Sequence, residues 1–236
     1  VLERIQKILS ARGIASRRKA EDFIRQGLVL VNGEPATIGQ KADPETDRIE
    51  VAGEVIEARK ELQYYVMNKP RGVVTTNAHM PGVKTVQELL PKELRGKVFT
   101  VGRLDKDSSG LLLLTNDGVL AYRLTHPKFD HAKEYEVETE RPVTDGQLEK
   151  LEKGMIILGE RTKTAKVRRI AEKRFRITLT EGKNRQIRRM CLKVGNKVAT
   201  LRRVRIMTLE DDRLKEGHYR ELSAKEKTDL LTAVKL

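Results

Sequence analysis

The chain has one cysteine, Cys191, no tryptophan, and only five tyrosines and four phenylalanines in 236 residues. A single cysteine forms no internal disulfide, so Cys191 reads as a small buried apolar side chain of a reducing compartment. No apolar run approaches the ~18 residues of a membrane span; the leucine run at 111–114 is four residues long. The opening stretch VLERIQKILSARG carries charge throughout and lacks the apolar centre of a signal peptide. A cytoplasmic, non-membrane protein is expected. Internal repeats and low-complexity segments are also missing.

Acidic residues are scarce in one place. Between Arg161 and Met207 there are 17 Lys and Arg but only two acids, Glu172 and Glu181, a local net of +15. The whole chain is +14, so the rest is close to neutral. Charge of one sign packed so densely repels itself unless a polyanion meets it, and a phosphate backbone is the usual one.

Two regions differ in texture. In LERIQKILSARG, Leu2, Ile5, Ile8 and Leu9 fall at helical spacing and Gly13 is a natural stop. Ser16 is placed to cap a second helix with Ala20, Phe23 and Ile24 on one face. LVLVNG then reads as a strand entering an Asn32-Gly33 hairpin turn, with RIEVAG as a further strand and a charged connector at 57–61. Arg17, Arg18 and Lys19 stand in the first turn of the second helix, where the backbone dipole disfavours cations but free amides suit a phosphate.

From residue 62 strands dominate: YYVMNKPRGVVTT, KVFTVGRLD, GLLLLTND, KEYEVETE and RFRITLTEG. Helical periodicity returns in TVQELLPKEL, DGVLAYRLTH, TDGQLEKLEKG and RQIRRMCLKVG. Strands mixed with a few helices imply an α+β fold.

One loop invites a chemical reading. In GRLDKDSSGLLLLTNDG, residues 102–118, Asp105 and Asp107 stand two apart just before the leucine run. A calcium loop begins this way, but its twelfth position here is Asn116 instead of Glu and its ninth is Leu113. GMIILGE at 154–160 has phosphate-loop glycine spacing with Glu160 where lysine is required. Neither pattern holds. A simple turn and a catalytic loop both remain open on spacing alone.

The full string resembles the catalytic motif of the RsuA/RluB/RluE/RluF family of ribosomal RNA pseudouridine synthases. NKPRGVV at 68–74, KEYEV at 133–137 and EGKNRQIRRM at 181–190 resemble that family's other motifs, in its order. ILSARGIASRRKAEDFIRQGLVLVNG resembles an S4 RNA-binding domain. ATIG, FDHAKEY and RFRITLTEGKNRQIRRMC are most similar to the RluF-type large-subunit enzymes. The likeness spans nearly the whole chain.

It implies an S4-like αβ domain at 1–60. A pseudouridine synthase domain at 61–236 would follow, with a mixed, mainly antiparallel sheet and flanking helices. It implies isomerisation of uridine to pseudouridine without cofactor or metal. Asp105 would be the carboxylate, Tyr135 the ring that stacks on the extracted uracil, and Arg188 the cation paired with Asp105. Leu201 would pack against the target base, and Asp107 would order the loop. Arg17, Arg18, Lys19, Lys69, Arg71, Arg103, Lys183, Arg185, Arg189, Arg202 and Arg203 are the expected RNA contacts. A monomer is expected, acting on a 23S ribosomal RNA stem-loop or a ribosome assembly intermediate. The rivals are a non-catalytic S4-type RNA-binding or assembly factor, and the same chemistry on tRNA or small-subunit RNA.

Overall fold

The computed structural model describes residues 1–12, 14–55, 61–78 and 80–236. The expected helix stop at Gly13, and all of the 57–61 connector except Glu61, lie outside the described residues. The chain divides into two compact units, Val1–Gln63 with Asn116–Gly118, and Tyr64–Thr115 with Val119–Leu236.

In the first unit, helices α1 (Ile5–Ala11) and α2 (Arg17–Arg25) pack their apolar faces on short strands at Val29–Val31 and Ile49–Val51. Ile5, Ile8, Leu9, Ala20, Ile24, Val29 and Ile49 form the core. The Ser16 hydroxyl caps α2, accepting from the Lys19 amide at 3.3 Å. Asn32 and Gly33 both have positive φ, 54° and 89°, the geometry of a two-residue hairpin turn. That turn sets Val31 opposite Glu34.

The second unit is built on a nine-stranded mixed sheet. Its main path runs Lys166–Ala171, Arg174–Leu179, Lys133–Thr139, Val198–Ile206, Ser109–Thr115, Tyr64–Lys69, Tyr219–Glu221. Neighbours are antiparallel except for strands 198–206 and 109–115, which run parallel. Helices α3 (Gly118–Thr125), α4 (Asp145–Lys153), α5 (Gln186–Lys193) and α6 (Ala224–Ala233) complete it. The leucine run is a fully buried strand, flanked by strand 64–69 and, in part, by strand 198–206 and the short Phe99–Val101 strand.

One sequence expectation changes, and three elements stand where none was expected. TVQELLPKEL forms only a 3-10 turn at Val86–Leu89. Its capping box is present, but Pro91 forces Leu90 into extended geometry and ends it. The strands at Lys166–Ala171 and Val198–Ile206 carry too many charges to look like sheet, although the second is central. Helix α6 was also unread, despite its Ser223–Glu226 capping box.

Candidate active site

The loop from Gly102 to Ser108 joins the Phe99–Val101 strand to the buried leucine strand. It is fastened at nearly every residue from 104 to 108. Leu104 shares two hydrogen bonds with the Thr75 hydroxyl, at 2.7 and 3.3 Å. The Gly72 amide donates to the Lys106 carbonyl at 2.7 Å, and the Ser108 amide closes a turn on the Asp105 carbonyl at 3.0 Å. Arg188 donates to the Asp107 carbonyl at 2.9 Å, and Lys69 Nζ to the Ser108 carbonyl at 2.8 Å. Beyond the loop, Arg203 Nε donates to the Leu111 carbonyl at 2.7 Å. Gly110 makes the last join feasible: a Cβ there would lie 2.2 Å from the Arg203 carbonyl oxygen, and φ is +107°.

The two carboxylates face different surroundings. Arg185 grips Asp107 with both terminal nitrogens, at 3.0 and 2.9 Å, and reaches Asp105 at only 3.5 Å. Arg188 Nε adds a contact to Asp107 at 3.3 Å. The Arg185 hydrogen bonds, with help from the charges of Arg188 and Arg185, hold the Asp107 carboxyl below the usual carboxylate range. Arg185 has left-handed backbone geometry, φ 48°, at the start of α5, a conformation costing about 1–2 kcal/mol outside glycine. That kink follows a loop closed by Gln186, which accepts from the Lys183 amide and donates to Glu181. Burial lowers the Arg188 guanidinium, and Lys69, completely buried, is pushed down to about 8.

Asp105 opens into a cleft of about 230 Å³ that is also lined by Tyr135, Leu201, Arg103, Lys183 and Arg185. Tyr135 is placed by strand 133–139, opposite Ile177 on one side and Arg203 on the other. Leu201 is 7% exposed and belongs to the core beneath the cleft. Glu181, Asn184, Gln186 and Ile187, not singled out from the sequence, line it too. The motif at 181–190 contained them, but spacing gave no reason to prefer them over its arginines.

Several assignments need correction. The cation nearest Asp105 is Arg185; Arg188 sits behind the loop on Asp107, Ser108 and the Val198 carbonyl. Lys69 and Arg203 are 0% and 3% exposed, with backbone partners, so neither presents its charge to RNA. Arg17, Arg18, Lys19, Arg71, Arg103, Arg189 and Arg202 are exposed. Lys183 is ion-paired with Glu160 and Arg189 donates to Asn184. Asp107 carries its side chain onto two arginines, Arg185 and Arg188. Among the described residues no group of three His, Cys, Asp or Glu is placed to hold a metal.

Comparison with known proteins decides the family. Residues 63–193 match the RNA pseudouridylate synthase family, and residues 3–49 match the S4 domain. The chain belongs to the RNA pseudouridylate synthase family. It is an isomerase. The chain is 41% identical over 233 residues, covering 98% of it and 79% of the relative, to the dual-specificity RNA pseudouridine synthase RluF of Shigella flexneri. It is 39% identical to the ribosomal large subunit pseudouridine synthase B of Bacillus subtilis, covering 95% of this chain and 94% of that protein. A solved pseudouridylate synthase superposes with TM-score 0.71 at 34% identity, covering 96% of this chain and 99% of that one. The synthase is thus an α+β protein of S4 domain plus pseudouridine synthase fold, as the sequence implied.

Proposed function

We propose that this synthase isomerises uridine in large-subunit ribosomal RNA, with Asp105 as the reacting carboxylate. The observation that carries the reading is convergence: Asp105, Tyr135 and Leu201 come from three separate strands or loops onto one open cleft. The reaction breaks the C1′–N1 bond of uridine, turns the uracil and forms a C1′–C5 bond, with no net redox change. It requires an ionised carboxylate beside the sugar and a site that retains the free base. Arg185 lies 3.5 Å from the Asp105 carboxylate, close enough to orient it toward the cleft. The Tyr135 ring stacks on the uracil, and Leu201 supplies an apolar floor that keeps the base from leaving.

The target uridine must first leave its helix, at a cost of a few kcal/mol. Exposed Arg103, Arg71, Arg202 and Arg189, with Arg17, Arg18 and Lys19 of the S4-type unit, offset that cost through phosphate contacts. Large-subunit RNA is favoured because relatives that this chain matches along nearly its whole length include a ribosomal large subunit enzyme. A stem-loop of 23S RNA, free or in an assembly intermediate, acted on in the cytoplasm by a monomer, completes the proposal.

The test uses ribosomal RNA tritiated at uridine C5, since isomerisation releases that tritium to water. Wild type is expected to release it and Asp105→Asn to release none while binding RNA nearly as well. Release by Asp105→Asn would remove Asp105 from the mechanism. Release from tRNA but not from ribosomal RNA would move the substrate assignment.

A further inference from the structure

The chain is poor in aromatic residues, yet it gathers several outside the cleft. Tyr122 on α3 is 47% exposed. Its ring meets His126 at 4.8 Å and Phe129 edge-on at 6.1 Å, and Phe129 stacks on His131 at 5.8 Å and 19°. Cations rim the group. The Arg123 guanidinium lies 5.1 Å from the Phe129 centroid, and Lys128 Nζ lies 4.8 Å from Phe129 and 5.4 Å from Tyr122. Two of nine Tyr and Phe, and two of four His, therefore fall within residues 122–131. The other end of the group is anchored: His131 is 8% exposed, and burial lowers its pKa.

This group adjoins the elements that build the cleft. Thr125, at the end of α3, lies 3.7 Å from where a Gly102 Cβ would be, and Gly102 opens the Asp105 loop. His131 precedes Tyr135 by four residues, at most about 14 Å of chain. The exposed ring, Tyr122, lies two ring contacts beyond His131, 6.1 and 5.8 Å, so the span to Tyr135 covers several stacked nucleotides at about 3.4 Å each.

One exposed ring, backed by partly buried ones and bordered by cations, suits one kind of partner. Every base has a π-face for the ring, and the phosphates beside it suit Lys128 and Arg123. We propose that Tyr122, backed by His126 and Phe129, stacks an unpaired base of the substrate RNA a few nucleotides from the target uridine. Arg123 and Lys128 would hold the adjoining phosphates. The proposal rests on the RNA-isomerase reading above and adds a second stacking position to it.

The test measures quenching of a single-stranded oligoadenylate heptamer carrying one 2-aminopurine, alongside tritium-release kinetics on ribosomal RNA. Tyr122→Leu keeps apolar bulk but has no π-face, and Tyr122→Phe keeps the π-face. Tyr122→Leu is expected to lose most of the quenching and to raise KM about tenfold with kcat unchanged. Tyr122→Phe should behave as wild type. Lys128→Gln, at an exposed position, should reduce the salt dependence of binding by about 0.7 in slope. Wild-type KM and quenching in Tyr122→Leu overturn the proposal, as does quenching that only Tyr135→Ala removes, which would put the base in the cleft. If Tyr122→Leu does not fold, an unchanged slope in Lys128→Gln overturns it. Tyr122-dependent quenching without tritium release from any RNA would instead count against the isomerase reading and leave the platform supported.

Discussion

Around the 102–110 loop, three basic side chains turn inward. Lys69 and Arg203 are buried on the carbonyls of Ser108, Pro70 and Leu111, and Arg188 holds the Asp107 carbonyl. At the start of α2 the same residue types turn outward: Arg17, Arg18 and Lys19 are all exposed. The +15 stretch shows both behaviours at once. Carboxylates from outside it meet several of its cations: Asp130 on Lys163, Asp145 on Arg169, Glu136 on Arg174 and Arg176, Glu134 on Arg205. A count of lysines and arginines therefore overstates the surface offered to RNA. Burial and pairing decide which cations build the site and which meet the substrate.

The sharpest way to break this contrast is at Lys69. Lys69→Ala leaves two carbonyls without their donor and opens a cavity, with an expected loss of about 3 kcal/mol or more in urea unfolding. Stability at or above wild type would show that the buried ammonium is not a fastener. The pH dependence provides a second reading. Lys69 is held at about 8 in the folded protein, below its ordinary 10.5. Between those values the unfolded chain binds more protons, so wild-type stability should rise with pH there relative to Lys69→Met. Below about pH 8 Lys69 contributes no slope.

A smaller effect is expected at Asp107. Asp107→Asn releases Arg185 and weakens the hold on Arg188, and kcat should fall about tenfold with less change in KM. Because the folded-state carboxyl is held down by Arg185, its contribution to stability is present above the ordinary carboxylate pKa. It is lost as pH falls through the lower folded value, so wild type and Asp107→Asn should converge in acid. The mildest test is Arg17→Gln with Arg18→Gln. Here kcat should not change, and the slope of log affinity against log salt should fall by about 1.4–1.8. An unchanged slope would mean that these two side chains face only solvent.

Much of this arrangement was legible along the chain. Ser16, the Asn32-Gly33 turn and the leucine strand each carry a local signal, and the structure honours it. Where sequence reasoning failed, the deciding partner was distant. Strand 198–206 looks like a basic surface segment because Arg203 finds its acceptor, the Leu111 carbonyl, 92 residues away. Lys69 reads as a phosphate ligand until Ser108, 39 residues on, is brought over it. The swap between Arg185 and Arg188 has a similar cause: the left-handed turn at Arg185 aims that side chain at the carboxylates, and no spacing rule contains that turn. The short 3-10 turn at Val86–Leu89, by contrast, has a local cause, because Pro91 bars a helix from continuing through Leu90.

The fastening of the 104–108 segment has a consequence for how the reaction is shared between protein and RNA. A carboxylate whose backbone is tied to fixed strands has little freedom to search for its partner. Its placement is settled when the protein folds, so little reorganisation is left for the moment of reaction. With Asp105 as the proposed reacting carboxylate, adjustment falls to the nucleic acid, which must bend, unstack and deliver the nucleotide to a stationary anvil. Discrimination among RNAs would accordingly be mechanical, favouring stems that distort cheaply over stems that merely display the right bases.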